Sequence, residues 1–141
     1  MKQRVLILCT HNSARSQMAE GLLRSMAGDR FDVASAGTEA TRVHPLAIRA
    51  MADLSVDLNS HTSKTVDRFL GEPWDYVITV CADANEKCPI FPGRTTRLHW
   101  SFPDPSQATG SDDERLDVFR KIRDQIAGRL REWVAGQGDR Q

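Results

Sequence analysis

The sequence predicts an α/β domain on a mainly parallel, four-stranded sheet covered on both faces, a three-layer α/β/α arrangement. Three observations predict it. Short apolar runs alternate along the chain with segments whose apolar residues recur at helical spacing. The first run, Val5-Leu6-Ile7-Leu8, is apolar without interruption, as a strand buried on both faces requires. Two of the runs end in a cysteine, Cys9 and Cys81, and beyond the carboxyl ends of such strands open α/β sheets gather their ligands.

The elements follow in order. The first strand ends at Cys9 and a helix begins at Ser16. Met18, Leu22 and Met26, with Ala19 and Leu23 beside them, repeat at helical spacing until Gly28. Phe31–Gly37 reads as a second, short strand. Pro45 suits a first helical turn, and Leu46, Ala47, Ala50, Met51 and Leu54 form an apolar stripe through the next helix. Residues 59–65 are polar and turn-rich, and a short helical candidate holds Val66, Phe69 and Leu70. Trp74–Val80 is the third strand and runs directly into Cys81. Pro89, Pro92 and Gly93 mark a loop, after which Thr95–Trp100 reads as a fourth, weaker strand. Ser111-Asp-Asp-Glu114 is a capping box, and Leu116, Phe119, Ile122, Ile126, Leu130 and Trp133 predict a long final helix with a frayed tail from Gly136. No repeat, low-complexity stretch or linker interrupts this order, so residues 1–141 read as one domain.

Composition excludes several classes. Lys plus Arg and Asp plus Glu both count 19 and cancel, which argues against the basic stripe of a nucleic-acid binder. No apolar run approaches a membrane span, and Met1-Lys2-Gln3-Arg4 leads into a strand rather than a signal sequence, so a cytoplasmic protein without a membrane partner is expected. In such a reducing compartment, three cysteines argue against a permanent disulfide framework and for transient or catalytic thiol chemistry.

The chemistry concentrates in Cys9-Thr10-His11-Asn12-Ser13-Ala14-Arg15-Ser16. Between a strand and a helix, this loop's amides and the helix N-terminus converge on one point, which binds anions. A thiol at the mouth of such a cradle feels the helix dipole and the Arg15 guanidinium, which favour its ionised, nucleophilic form. Arg15 can grip two oxygens with its planar fork, and the Ser16 hydroxyl can donate to the thiolate. The stretch reads as a nucleophile for a bound tetrahedral oxyanion, with Thr10 to Ser16 as the binding set and His11 contributing its backbone amide.

Cys81 and Cys88 lie seven positions apart, about 10.5 Å along an unbroken helix, whereas a disulfide needs Cα atoms within about 7 Å. If they pair, residues 82–87 must unwind or loop out. Their positions, one at a strand's end and one beside Pro89, suit redox chemistry better than burial. Zinc needs four ligands at close spacing, and His11, His44, His61 and His99 provide no such cluster, so no metal is expected. Asp104 stands between Pro103 and Pro105 and reads equally as a turn residue or as a general acid for the leaving oxygen.

The Cys-x₅-Arg-Ser loop beside an N-terminal strand, the downstream Asp-Pro pair and the length resemble the low-molecular-weight protein tyrosine phosphatase fold. Cys9-Thr-x-Asn-Ser-x-Arg-Ser-Gln-Met-Ala-Glu, Val-Cys81-x₆-Cys88-Pro and His99-Trp-x-Phe-x-Asp104-Pro are similar to the thioredoxin-coupled arsenate reductases on that fold, from about Val5 to Trp133. The resemblance implies a relay. Cys9 attacks arsenate held by the loop and Arg15, with Asp104 as acid. Cys81 then attacks Cys9 as arsenite leaves, and Cys88 attacks Cys81, passing the disulfide to Cys81 and Cys88 for thioredoxin to reduce. It implies no bound cofactor, a monomer, and phosphate or sulfate as competing anions. Two positions depart from the pattern: His11 stands where many relatives carry Gly, and Lys64 where some carry an acidic residue of a potassium site near Asn12 and Glu20. The alternatives are a phosphatase on this fold, disfavoured by Ser106 where many carry a ring-stacking aromatic, and a thiol-based redox sensor, disfavoured by the intact Cys9 loop.

Overall fold

The computed structural model describes residues 2–81 and 91–137. Its strands are β1 (Gln3–Cys9), β2 (Phe31–Gly37), β3 (Tyr76–Thr79) and β4 (Thr96–His99), and its helices are α1 (Arg15–Ala27), α2 (Pro45–Ala52) and α3 (Asp112–Gln137). Short 3₁₀ turns cover Val66–Phe69 and Pro105–Gln107, the first in place of the expected short helix. The third and fourth strands are trimmed relative to the apolar runs that predict them, and α3 continues through Gln137 rather than fraying at Gly136.

The sheet runs β2-β1-β3-β4 and every pairing is parallel. β1 is flanked on both sides, which is why Val5 to Cys9 are all buried. Side chains alternate across the pleat. Val5, Ile7 and Cys9 join Ile78 and Val80 under the apolar stripes of α1, α2 and α3. Leu6, Leu8, Ala36 and Val77 face the other way, onto Phe69, Trp74 and Phe91. Among the described residues, that second face is therefore covered by aromatic side chains of turns and loops rather than by an α-helix.

α3 is long because its apolar residues keep helical spacing and its start is well capped. Ser111 N donates to Glu114 Oε1 and Glu114 N to Ser111 Oγ, both at 3.2 Å, which is the predicted capping box. Arg123 ties this helix to α2, donating from Nη1 to Ala50 O at 2.7 Å and lying 3.0 Å from Asp53 Oδ2.

Two features of the sheet place the site. The chain leaves β1 towards β2 on one side and returns to β3 on the other, so the topology switches between β1 and β3. Val80 N donates to Leu8 O at 2.9 Å, extending the ladder to the very ends of these strands. Cys9 and Cys81 consequently emerge on the same sheet edge, as the sequence predicts.

Candidate active site

At the carboxyl end of β1 the chain turns sharply through Asn12, whose φ of 49° lies in the left-handed region that asparagine tolerates. It then enters α1, whose N-cap, Ala14, makes no side-chain capping bond, and whose first turn carries no acidic residue. The helix start thus keeps its anion-attracting character. Ser13 O accepts from His44 N at 2.9 Å, fixing the loop from the side of α2. The result is a cleft lined by Cys9, His11, Ser13, Ala14, Arg15, Asp104 and Ser106, with a volume of about 20 Å³.

Cys9 is a free thiol at the base of this cleft. Its Sγ lies 2.8 Å from Ser16 Oγ. Asn12 anchors the serine. Asn12 Nδ2 donates to Ser16 Oγ and to Ser35 Oγ, both at 2.8 Å, while Asn12 Oδ1 accepts from Lys64 N and Gln17 Nε2, both at 2.9 Å. Ser16 keeps its own proton, and because a thiolate can only accept, that proton serves the Cys9 sulfur once the thiol ionises. Ser35 passes its proton on, donating to Glu20 Oε1 at 2.6 Å. The side chains of Asn12 and Ser16 therefore hold the loop from behind.

Glu20 is a buried carboxylate ringed by cations. Arg24 Nη2 donates to Glu20 Oε2 at 2.7 Å, and Lys64 Nζ lies 3.9 Å from Glu20 Oε1 while donating to Thr62 O at 2.7 Å. Lys64 thus stands where the sequence suggests it replaces a bound cation, and burial pushes its amine below the ordinary lysine value. His61 is the third neighbour, its Nδ1 3.0 Å from Gln17 Oε1 and its Nε2 3.3 Å from Arg24 Nη1. Because arginine only donates, Nε2 accepts and Nδ1 carries the proton, so the ring is neutral. Its pKa is lowered accordingly, first by burial and then by Arg24 and Lys64, against Glu20.

Arg15 is only 3 % exposed. Its Nη1 donates to Phe102 O at 3.1 Å and to Val80 O at 3.5 Å, and its Nη2 lies 3.8 Å from Asp104 Oδ2. The guanidinium is thereby aimed across the cleft by the segments after β3 and β4. Asp104 makes the turn and also faces the cleft. Its Oδ1 accepts from Ser106 N at 2.9 Å and from Ser106 Oγ at 2.7 Å, making the turn, while Oδ2 remains turned towards the cleft and Arg15.

Cys81, buried just past β3, is engaged in a disulfide while Cys9 is free, so the two are not joined to each other. Cys88, with the predicted pairing of Cys81 and Cys88 and the unwinding of 82–87, lies outside the described residues. Among the described residues no three His, Cys, Asp or Glu side chains gather as a metal site, and no helix is long and apolar enough to cross a membrane. Sequence reasoning missed Ser35, Gln17 and Gly37. Only Gly37 left a trace, a glycine at a strand end, where a Cβ would lie 2.6 Å from Thr10 O and 2.8 Å from Asn12 N.

A parallel sheet whose first strand delivers a thiol into an arginine-lined anion cradle is the architecture of low-molecular-weight phosphatases. The pattern of the low molecular weight phosphotyrosine protein phosphatase family matches residues 4–140, and the chain belongs to that family. Its relatives include an arsenate reductase from Halalkalibacterium halodurans, 45% identical over 92% of this chain and 94% of the relative. Among solved structures it is similar to an arsenate reductase in the phosphate-binding state, with a TM-score of 0.77 and 31% identity over 95% of this chain and 98% of the other. It is also similar to a thioredoxin-dependent arsenate reductase from Corynebacterium glutamicum, with a TM-score of 0.72 and 30% identity over 99% of this chain and 64% of that one.

Proposed function

We propose that this protein reduces arsenate to arsenite by a three-cysteine relay that thioredoxin resets. The observation that carries the reading is the free Cys9 thiol, held by Ser16 at the base of an anion-sized cleft with Arg15 and Asp104 in its wall. The oxyanion binds to the amides of Thr10 to Ser16 and to Arg15. The Cys9 thiolate attacks arsenic, and Asp104, through Oδ2, gives a proton to the departing oxygen, which leaves as water. Cys81 then attacks the Cys9 sulfur. The As–S bonding pair stays on arsenic, which becomes arsenite, and a Cys9–Cys81 disulfide forms. Cys88 attacks Cys81 and frees Cys9, and the dithiol of thioredoxin reduces the Cys81–Cys88 disulfide. Cys9, Arg15 and Asp104 all come from one chain, which supports a monomer acting as one domain. The thiol chemistry supports work in the cytoplasm without a bound cofactor. Phosphate and sulfate share arsenate's shape and compete for the cradle; arsenic(V) accepts an electron pair from thiols and phosphorus(V) does not.

The test follows arsenite with thioredoxin, thioredoxin reductase and NADPH in the wild type and in Cys88→Ser. Multiple turnovers in the first and at most one in the second are expected. Reduced wild-type protein that makes no arsenite but hydrolyses p-nitrophenyl phosphate returns the chain to phosphomonoester chemistry.

A further inference from the structure

His11 lines the cleft with a large side chain for which the relay has no use. Its side chain is 49% exposed, and its Nε2 lies 3.2 Å from Glu39 Oε2, whose side chain is 62% exposed. At such exposure an ion pair by itself holds little. Backbone contacts do the anchoring. Glu39 N donates to Thr10 O at 3.0 Å, and His11 O accepts from Ser63 Oγ at 2.9 Å and from Thr41 Oγ1 at 3.5 Å. Gly37 permits this approach, since any Cβ there would strike the cradle's backbone. The chain after β2 is thus laid along one rim of the cleft and brings a carboxylate to the imidazole.

The lining also includes Asp104 and Ser106. Ser106 offers no ring, and its hydroxyl is committed to Asp104. The roughly 20 Å³ inside the cleft equals one or two waters, at about 10–15 Å³ each. Space on that scale suits a small head group and not an aromatic ring. An aryl ester must also carry its ring out through the mouth that His11 lines.

We propose that His11, steadied by Glu39, is a specificity-determining residue that admits free oxyanions to Cys9 and turns away aryl phosphate esters. The identity of the physiological oxyanion rests on the arsenate-reductase reading; the exclusion of esters rests on the rim alone. The imidazole contests the volume that the ester's ring needs, and a built-in clash of this kind discriminates without improving contacts to the favoured ligand.

The experiment uses the reduced full chain as wild type, His11→Ala, His11→Gly and Glu39→Gln. For each, kcat/KM for p-nitrophenyl phosphate is measured beside the affinity for inorganic phosphate, read from protection of Cys9 against iodoacetamide. The expected result is a rise of about tenfold in ester kcat/KM relative to phosphate affinity in both His11 variants, on the scale of one steric contact in a pocket. Glu39→Gln should move the ratio the same way by less. A ratio unchanged in the His11 variants, or ester and phosphate changing in parallel, overturns the proposal. Wild-type protein that binds phosphate but makes no arsenite refutes the arsenate reading and leaves the rim to be judged by this ratio.

Discussion

Ser16 shows how much of the site depends on the direction of one proton. Its oxygen accepts from Asn12, and its hydrogen is the one available to an ionised Cys9 sulfur, which can only accept. Ser16→Ala removes that donor without touching the sulfur. A hydrogen bond to a charged group contributes about 1.5–3 kcal/mol, so iodoacetamide alkylation of Cys9 and the first-turnover arsenite burst should slow by about ten- to a hundredfold. Rates within twofold of wild type would show that the thiolate takes no support from Ser16. Lys64 permits a second test at this scale. With its ammonium already beside Glu20, activity at fixed ionic strength should not depend on potassium, and a strong rise with potassium would refute the lysine's role as a built-in cation.

Among the elements, the end of β2 leaves no room for a side chain. At Gly37 a Cβ would meet Thr10 O at 2.6 Å, Asn12 N at 2.8 Å and Cys9 O at 3.0 Å, all main-chain atoms of the cradle. None can swing aside as a side-chain tip would. Gly37→Ala should destabilise the fold by about 1–3 kcal/mol, the usual cost of overpacking, and should lower Cys9 reactivity as well. A urea titration with a parallel alkylation assay reads both. Unchanged stability with unchanged reactivity would mean that the loop relaxes freely, contrary to the interlocked contacts of Asn12. The start of α1 is tuned differently, by omission, since neither a side-chain cap nor an acidic residue competes for its N-terminal charge.

At the scale of the whole molecule, one histidine links the long C-terminal helix to the cradle's loop. The His44 ring stacks on Phe119 of α3 with centroids 4.6 Å apart, and its Nδ1 accepts from Leu46 N at 3.1 Å as the N-cap of α2. Its backbone N–H meanwhile holds Ser13. Only the neutral ring can accept at Nδ1. Burial first, then Arg115 and Arg42, lower its pKa, with Asp104 opposing. The folded state thus prefers unprotonated His44 more strongly than the unfolded chain does. Its contribution is complete above about pH 6.5 and declines as pH falls below that value, because the unfolded chain takes up the proton first; the decline ends once folded His44 also protonates. His44→Asn keeps a capping acceptor without the titration. Its urea midpoint should therefore fall less than that of the wild type between about pH 6.5 and 5. Parallel profiles would exclude His44 as a source of the acid sensitivity.

The sequence by itself determined whatever is local. Strand and helix alternation, the capping box of α3 and the Cys9 to Ser16 stretch are legible because they lie within short spans where spacing alone fixes geometry, and β1 is legible as buried because its apolar run is unbroken. Asp104 was legible as a residue but not as a role, since its two oxygens are assigned only when Ser106 takes one and Arg15 faces the other. Tertiary structure decided the rest. Ser35, Gln17 and His61 carry no motif, and they matter because β2 and the loop at 59–65 fold against α1. Ser35 meets Glu20 across 15 positions, and His61 meets Gln17 across 44. Glu39 reaches His11 because the chain after β2 lies against the cradle, an approach that the absence of a side chain at Gly37 permits. Hydrogen-bond direction and steric fit depend on which groups meet, and chain folding alone brings such distant groups together.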